Sequence, residues 1–498
     1  MANRDLIYLV NAGNDTGMSS IANDHSFPAL GVLALGTWLN TYVPDGEVVV
    51  RDGGVVGNEK IIQEIERLKP GIVGVSVLST SYQNSLEIAL HAKESGAYTI
   101  FGNDQASQLS RRILERRPYV DFVVGSEYGE KSLELLVRSL KGENISFDEI
   151  PDLTFRTNGD VAGFDYERDR RLLSIVSSPL YRAKNRKTAL DVFPIVDRTL
   201  YPTETHWERY LENYLARFSG LHEEEVTGVT TMNRARGCSR ASDAAKCSFC
   251  DMLLDVSFSS PEKFWEEVQE AYRQVRANVF YEVCDSFSSF PSFIEGVVGT
   301  KPRLDFDPKF FVYAQAIDLV RKPVLFQQFK KMGVFRVNIG LEAGSNKTLQ
   351  HLKGRYDSVE NNYRALQMLK DAGIYVYGSF VLGSDEETPE TLRETVGWAK
   401  KIMDERLIAD VEAQPLLPLP RNRQGRKLES SGLLPTEMQN TDWPWDLDKI
   451  SEIYINHFSG VSYQGVIDAA IEVRERAKEH RLNFGSGVSR EEKYYQRK

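Results

Sequence analysis

The chain alternates short apolar runs with amphipathic stretches over its first 145 residues or so. The apolar runs have the length of buried strands and lie at 6–12, 47–54, 71–78, 98–104 and 121–130. The stretches between them carry apolar residues at helical spacing. Strands that alternate with helices predict a parallel sheet covered on both faces. We therefore predict a doubly wound, Rossmann-like α/β domain at 1–145, with ligands at the loops that follow its strands.

A second alternating series begins near residue 226. Its apolar runs lie at 226–232, 278–287, 310–316, 335–344, 374–383 and 409–417. Repeated β-then-α units predict a full or partial (β/α) barrel for residues 226–420. Residues 146–225 are expected to form a connector with little regular structure, and 421–498 a helical C-terminal domain.

Composition narrows the setting in which the protein works. The 498 residues carry a formal net charge of −10, which argues against a nucleic-acid partner. No run has the length of a membrane span, and the N-terminus does not have the pattern of a signal peptide. Four cysteines in so long a chain do not make a disulfide framework. These features predict a cytoplasmic protein in a reduced setting, with no nucleic-acid or membrane partner.

Three of the four cysteines, Cys238, Cys247 and Cys250, lie in one loop after the run at 226–232. Thiolates grouped in this way favour a metal centre. A closed structural zinc site needs four ligands, and the fourth could only be Cys284 or a histidine. Three thiolates on a four-iron cluster would leave one iron open to a cofactor. A zinc-stabilised binding module is the non-catalytic alternative.

The cysteine loop and two later segments resemble the radical S-adenosylmethionine (SAM) superfamily. Phe249 precedes the last cysteine as the family's aromatic does, although the first spacer has eight residues instead of three. Residues 337–354 and 365–391 are similar to the family's two glycine-rich segments. The resemblance covers about 226–420. It implies a 4Fe-4S cluster on the three cysteines, with SAM on the open iron.

This resemblance also implies the reaction type. SAM would be cleaved to a 5′-deoxyadenosyl radical, which abstracts a hydrogen atom from an unactivated carbon of the substrate. The partners implied are a small-molecule substrate and an external one-electron donor such as a flavodoxin or ferredoxin. The task of the protein is then to hold cluster, SAM and substrate in line and to exclude water.

Several residues receive roles from the same resemblance. Phe249, Asp285 and Ser286 are expected beside the cluster and the SAM amino group, and Glu342 beside the ribose or the methionine part. Glu342 could instead form an internal ion pair with Arg336, which could otherwise clamp a carboxylate. Ser379 either points into the barrel or packs in the core.

Cys284 ends the second strand of the barrel series, where relatives often carry an acid. A thiol that faces the barrel mouth could return a hydrogen atom to a substrate radical. A small buried hydrophobic residue is the alternative, since free cysteine commonly takes that role. Cys284 and Asp285 are the candidate catalytic residues.

The N-terminal region resembles the cobalamin-binding domain that precedes the radical domain in one large subgroup. The matching segments are 27–39, 69–93, 99–107 and 121–136. The subgroup's GGxHAT motif appears as GNDQAS at 102–107, without its second glycine and its histidine. The resemblance implies bound cobalamin, and the residues expected to contact it are Ser76, Ser79, Thr80, Ser81, Tyr82, Gly102 and Glu127.

Cobalamin would make methyl transfer from methylcobalamin to a substrate carbon the expected outcome. The protein would then be a C-methyltransferase of specialised metabolism, as in natural product biosynthesis. The alternative is a cobalamin-independent or non-methylating radical enzyme, with Cys284 as hydrogen donor. Epimerisation, dehydration, ring rearrangement and sulfur insertion belong to that alternative.

Overall fold

The fold is known from a computed structural model of the chain, and most strands belong to two large sheets. The structure describes residues 3–15, 26–43, 45–125, 129–157, 159–165, 186–218, 226–240, 247–250, 256–420, 422–439, 442 and 446–483. The strands are β1 (Asn3–Asn11), β2 (Glu47–Asp52), β3 (Pro70–Ser76), β4 (Tyr98–Gly102), β5 (Phe122–Val124), β6 (Leu153–Thr157), β7 (Asp160–Gly163), β8 (Val229–Met232), β9 (Ala235–Arg236), β10 (Ser257–Phe258), β11 (Val279–Glu282), β12 (Lys309–Ala314), β13 (Val334–Glu342), β14 (Tyr375–Leu382) and β15 (Asp410–Pro415).

Helices connect most of these strands. They are α1 (Leu30–Tyr42), α2 (Gly53–Val56), α3 (Asn58–Leu68), α4 (Tyr82–Glu94), α5 (Asp104–Gln108), α6 (Ser110–Arg116), α7 (Gly129–Leu140), α8 (Glu208–Phe218), α9 (Pro261–Val275), α10 (Pro291–Gly299), α11 (Ala316–Arg321), α12 (Val324–Met332), α13 (Asn346–Lys353), α14 (Val359–Asp371), α15 (Pro389–Asp404), α16 (Arg423–Ser430), α17 (Leu447–Phe458) and α18 (Tyr463–Asn483).

The N-terminal sheet has the order β2-β1-β3-β4-β5-β6-β7, and its first five strands are parallel. The predicted doubly wound sheet is therefore confirmed. Its strand order reverses between β1 and β3, because the chain leaves β1 for β2 on one side and returns to β3 on the other. Ligands of such sheets bind at this reversal, beyond the carboxyl ends of the strands.

The second sheet contains β8, β11, β12, β13, β14 and β15 in sequence order, and all neighbours are parallel. Within the described residues, β8 and β15 are the two edges and do not pair with each other. The barrel is thus the partial one of the two predicted forms. Strand β13 is buried along nearly its whole length because both of its faces are covered, whereas β15 alternates buried apolar with half-buried polar residues.

Regular structure extends into the expected connector. Strands β6 and β7 form an antiparallel hairpin that pairs with β5 at the edge of the N-terminal sheet. The Arg156 guanidinium anchors this hairpin by donating to the carbonyl oxygens of Leu114, Arg117 and Val120. The expectation of little regular structure is therefore wrong for residues 153–163, where the hairpin covers a strand edge, and for residues 208–218, which form helix α8. The proposed domain boundaries stay predictions.

The C-terminal region is helical, as predicted. Helix α18 lies against β15 and α15, and Arg474 Nη2 donates to the Ala413 carbonyl oxygen over 3.1 Å. This helix therefore covers the last strand of the partial barrel. Among the described residues, no helix combines the length and the apolar character needed to cross a bilayer.

Candidate active site

The cysteine loop leaves the barrel at the carboxyl end of β8. Strands β9 and β10 pair antiparallel and form the neck of the loop. At the start of the loop, Gly237 has a φ of 93° and donates its N–H to Asp285 Oδ2 over 3.1 Å. Cys238 follows directly, so the neck holds it beside the end of β11.

The Cys238 sulfur accepts two hydrogen bonds from nitrogen. Gln315 Nε2 donates over 3.3 Å, and the Arg240 backbone N–H donates over 3.4 Å. Arg240 Nε in turn donates to Gln315 Oε1, which fixes the amide with its NH₂ group towards the sulfur. Arg240 is itself held by an ion pair of 2.6 Å with Asp357.

The other two cysteines belong to a tight turn. The Cys250 N–H donates to the Cys247 carbonyl oxygen over 3.1 Å, and the intervening Ser248 N–H donates to Leu352 at the end of α13. Asn422 Nδ2 donates to the Phe249 carbonyl oxygen over 3.2 Å. Side chains and carbonyls from two other parts of the barrel therefore fix the CxxC turn.

Positive charges balance the thiols. Burial raises the pKa of the Cys238 and Cys247 thiols, and for Cys247 the cations of Lys353 and Arg240 oppose that rise. Such cations favour the thiolate form that iron requires. No three described His, Cys, Asp or Glu side chains converge on a single ion-sized point. A four-iron cluster takes each thiolate on a different iron, so its cysteines have no need to converge.

Glu342 ends β13 in a left-handed conformation, with a φ of 60°. Its Oε1 pairs with Lys353 Nζ over 2.9 Å. The sequence suggested Arg336 as the ion-pair partner of Glu342, whereas the structure shows Lys353 in that position. Lys353 Nζ also donates to the Gly340 carbonyl oxygen over 2.5 Å. A Cβ at Gly340 would lie 2.0 Å from Glu342 Oε1, so the glycine makes room for the carboxylate.

The two candidate catalytic residues, Cys284 and Asp285, lie in different environments. Asp285 is exposed and lines a cavity, whereas Cys284 is only 1% exposed. The Cys284 thiol faces the Gly237 carbonyl oxygen over 3.7 Å, and burial raises its pKa. Ser286 is buried and accepts from Gln315 Nε2 over 3.0 Å.

A cavity of about 660 Å³ lies between the barrel interior and the strand ends of the N-terminal sheet. Phe249 of the cysteine loop and Ser379 of β14 line it. For Ser379, this position corresponds to the alternative in which the side chain points into the barrel. Arg336 lies against the rings of Phe311 and Tyr377, 4.5 and 5.1 Å from their centroids. It supports the wall of the cavity.

A smaller cavity of about 410 Å³ lies at the strand-order reversal of the N-terminal sheet. Ser76 at the end of β3 and Gly102 at the end of β4 line it, as do residues of α1 and α7. Asp285 and Arg236 of the barrel line the same cavity. It therefore opens towards the cysteine loop.

The remaining cobalamin candidates occupy other positions. Ser79 Oγ donates to Gln105, Thr80 Oγ1 donates to Asn14, and the buried Ser81 hydroxyl accepts from the Leu78 N–H. The Tyr82 hydroxyl is buried and donates to Asp442 in the C-terminal region. None of the four lines the smaller cavity among its described residues. Glu127 lies outside the described residues.

The segment 102–107 lacks the second glycine of GGxHAT but keeps a left-handed backbone conformation at that position. Asn103 has a φ of 79°, in the left-handed region that asparagine tolerates better than most residues. Its Nδ2 donates to Ser76 Oγ over 3.1 Å. The backbone can therefore turn here without the second glycine.

Sequence reasoning missed Arg240, Gln315 and Lys353. Two of them had a weak signal. Gln315 follows a barrel strand directly, where functional residues collect, and Lys353 lies in the segment 337–354 that resembles the family. Their roles depend on contacts between distant parts of the chain, which spacing does not reveal.

Comparison with known proteins agrees with this architecture. Residues 232–399 match the family model of the radical SAM superfamily. With a loop of three cysteines at the carboxyl end of a parallel partial barrel, the chain has the radical SAM type of fold. The matched segment, 232–399, is a radical SAM domain.

Curated relatives are distant. The anaerobic magnesium-protoporphyrin IX monomethyl ester cyclase of Cereibacter sphaeroides is 24% identical over 351 residues, which are 68% of this chain and 51% of the relative. An uncharacterized methyltransferase of Pyrococcus horikoshii is 21% identical over 359 residues, which are 69% of this chain and 66% of the relative. The chain spans about half the length of the cyclases it matches.

Solved structures share the fold at low identity. The radical SAM methyltransferase TsrM from Kitasatospora setae, with cobalamin and a 4Fe-4S cluster bound, matches with a TM-score of 0.66 and 15% identity. The match covers 95% of this chain and 91% of TsrM. The cobalamin-dependent radical enzyme OxsB matches with a TM-score of 0.57 and 19% identity, over 80% of this chain and 52% of OxsB.

Proposed function

We propose that this radical SAM enzyme is a cobalamin-dependent C-methyltransferase. The observation that carries the proposal is the smaller cavity, which has walls from both sheets. Ser76 and Gly102 come from the strand ends of the N-terminal sheet, and Asp285 comes from the barrel beside the cysteine loop. A group held there would face the site at which the substrate radical forms.

The residues of this cavity fit a large cofactor. Gly31 lines it from α1, and a Cβ built on Gly31 would meet no atom within 4 Å. Gly102 leaves similar room, because its Cβ would meet only the Val124 carbonyl oxygen at 3.9 Å. When bound, cobalamin would supply the methyl group, and SAM at the cluster would supply the radical that activates the substrate carbon.

The protein's own side chains would orient and shield these groups. Gln315 and Arg240 hold Cys238, and the Lys353–Glu342 pair lies next to Cys247 at the expected SAM side. The position of Cys284 supports methyl transfer over the hydrogen-donor alternative. Its thiol is in the core, and it is absent from the described lining of both cavities.

Anaerobic reconstitution with iron, sulfide and cobalamin tests the proposal. With an added one-electron reductant such as dithionite, we expect protein with bound cluster and cobalamin to cleave one SAM to 5′-deoxyadenosine and methionine. We expect a second SAM to pass its methyl group to the reduced cobalamin, which leaves S-adenosylhomocysteine. The Cys247→Ala variant should lose the cluster, whereas Cys284→Ala should keep the cluster and both products. Formation of 5′-deoxyadenosine without S-adenosylhomocysteine would favour the non-methylating alternative, and bound zinc without iron would refute both.

A further inference from the structure

The 660 Å³ cavity is lined by residues of five consecutive barrel strands. The residues that β11 to β15 contribute are Tyr281, Tyr313, Asn338, Tyr377, Ser379, Phe380, Val381, Glu412, Gln414 and Pro415. Phe249 borders it on the side of the cysteine loop. A molecule in this cavity would therefore touch the loop that is proposed to hold the cluster.

Three of these residues form one row across neighbouring strands. In the parallel registers, Asn338 of β13 lies beside Tyr313 of β12 on one side and beside Tyr377 of β14 on the other. Residues in register point to the same face of a sheet, and all three line the cavity. The Asn338 amide therefore lies in the inner wall of the barrel between two tyrosines.

The Asn338 amide is the sign that a ligand binds in this row. Asn338 is 4% exposed, and its Oδ1 is buried and accepts no hydrogen bond from the described residues. The neighbouring Tyr377 hydroxyl does not satisfy it, because that hydroxyl donates its hydrogen to Glu412 Oε2 over 2.7 Å. A buried acceptor without a donor is costly, so a ligand N–H or O–H that reaches Asn338 would be bound favourably.

Other polar side chains of the wall have partners inside the protein. Gln414 Nε2 donates to Glu412 Oε1 over 3.0 Å, and Asp52 accepts from Tyr210 Oη over 2.5 Å. Among the described side chains that line the cavity, Asn338 Oδ1 is the one buried polar atom without a hydrogen bond. The lining therefore has one unmet requirement, which is a donor at Asn338.

Asn338 lies deeper in the barrel than the position expected for SAM. It precedes Glu342, at the end of β13, by four residues. At about 3.3 Å per residue, this places Asn338 roughly 13 Å below the strand end. A molecule that reaches Asn338 therefore occupies the barrel interior beneath SAM.

Aromatic rings border the same space. Tyr281 and Tyr313 lie 5.9 Å apart between ring centroids, and Phe27 lies 5.5 Å from Tyr281. All three rings line the cavity. Aromatic side chains favour flat apolar groups, which they contact by stacking or edge to face.

We propose that this cavity binds the substrate and that the substrate is a flat aromatic molecule whose ring carries an O–H or N–H, which donates to Asn338 Oδ1. The inference rests on the proposed function, because the cavity matters for catalysis only if the cysteine loop is the radical site. It adds the chemical class of the substrate.

Two matched probes test the class: 4-methylphenol and 4-fluorotoluene share a ring and a methyl group, and only the phenol carries a donor. Binding is measured by saturation-transfer NMR titration on reconstituted protein saturated with SAM, so that the SAM site is filled. We expect the phenol to bind at least about tenfold more tightly, although 4-fluorotoluene is the more apolar of the two.

Asn338→Leu should abolish the preference, because leucine offers no acceptor. Asn40→Leu, at an exposed asparagine of α1, is the control and should keep the preference. Without probes, Asn338→Leu should unfold at the same or a higher temperature than the unmodified protein, since an apolar side chain replaces an unsatisfied acceptor. An asparagine with a purely structural role would instead lower the unfolding temperature when it is replaced.

Several results would overturn the proposal. They are equal binding of the two probes, tighter binding of 4-fluorotoluene, or binding of neither by the unmodified protein. A preference that persists in Asn338→Leu, or a lower unfolding temperature of this variant without probes, would overturn it as well. Probe binding needs no radical chemistry, so a preference for the phenol without S-adenosylhomocysteine formation would refute the proposed function and leave the donor-binding site intact.

Discussion

At the scale of single residues, Gln315 connects the barrel to the cysteine loop. Its Oε1 is occupied by Arg240, so its NH₂ group is left to donate to the Cys238 sulfur. Hydrogen bonds to cluster sulfurs raise the reduction potential, because they stabilise the more negative reduced state. Gln315 is therefore a positioning residue that tunes the proposed cluster.

Replacing Gln315 by leucine should lower the midpoint potential by an amount on the order of tens of millivolts. EPR-monitored redox titration measures it. The matched control is Gln424→Leu, since Gln424 Nε2 donates to the Ser248 hydroxyl in the same loop and not to sulfur. An unchanged potential in Gln315→Leu, with the cluster intact, would contradict the role.

Glu387 provides a pH-dependent contribution to stability. Burial raises its pKa to about 7, although the Gly383 N–H donates to Oε2 over 2.6 Å. The folded protein then binds this proton more tightly than the unfolded chain, so the contribution is complete below pH 4.5 and is lost as the pH rises through 7.

Between pH 4.5 and 7, we expect the free energy of unfolding of the unmodified protein to fall by about 3 kcal/mol relative to that of Glu387→Gln. Thermal unfolding of both proteins across the interval measures the difference. Glu386→Gln is the control, because its side chain is 48% exposed and pairs with Lys347. Parallel pH profiles for Glu387→Gln and the unmodified protein would show that Glu387 does not titrate in this range.

Sequence spacing identified functional residues that lie close together in the chain. It did not identify contacts between residues that are far apart in the chain. The cysteines and the strand end at Glu342 were visible as motifs, because their residues lie close together in sequence. Lys353 as the partner of Glu342 was not visible, because it depends on how α13 returns beside β13. The same limit applied to Tyr82, whose partner Asp442 is 360 positions away.

At the scale of elements, the parallel strands of both sheets were predicted by their apolar runs. The β6–β7 hairpin was missed, although Asn158–Gly159 is a hairpin-turn signal and Gly159 has a φ of 91°. Its strands are short and only partly apolar, so their pattern was weak. Pairing with β5 supplies the stabilisation that the local sequence does not show.

A substitution in helix α1 tests whether cobalamin binds in the smaller cavity. Gly31→Leu should improve helix propensity and extend a side chain into the open space that α1 borders. We expect cobalamin content to fall at least roughly tenfold, while iron content is unchanged. Gly397→Leu is the control: Gly397 is also an exposed helical glycine with no atom near its Cβ, but it lies on α15. Full cobalamin retention in Gly31→Leu would refute this location.

At the scale of the whole molecule, ion pairs join separate regions of the chain. Arg117 Nε pairs with Asp442 over 2.7 Å and links the N-terminal sheet to the C-terminal region. Arg236 pairs with Glu130 over 3.4 Å across the smaller cavity. The Arg236–Glu130 pair joins the two walls of the proposed cofactor site.

A substitution of Tyr82 tests whether this residue links the N-terminal sheet to the C-terminal region or contacts the cofactor, as the sequence suggested. Tyr82→Phe removes a buried hydrogen bond to the Asp442 carboxylate and should destabilise the protein by roughly 1.5–3 kcal/mol. Cobalamin content should not change. Tyr98→Phe, at a tyrosine that is 47% exposed, is the control. Calorimetry and cobalt analysis measure both effects, and a variant that loses cobalamin at unchanged stability would restore the cofactor role.

The central claim is that the loop of Cys238, Cys247 and Cys250 holds a cluster with one iron open to SAM. EPR of the reduced, reconstituted protein with and without SAM tests it most directly. The account predicts a 4Fe-4S signal whose g-values change when SAM is added and which is absent when the three cysteines are replaced by alanine. A signal that SAM leaves unchanged, or one that survives in the triple variant, would contradict it.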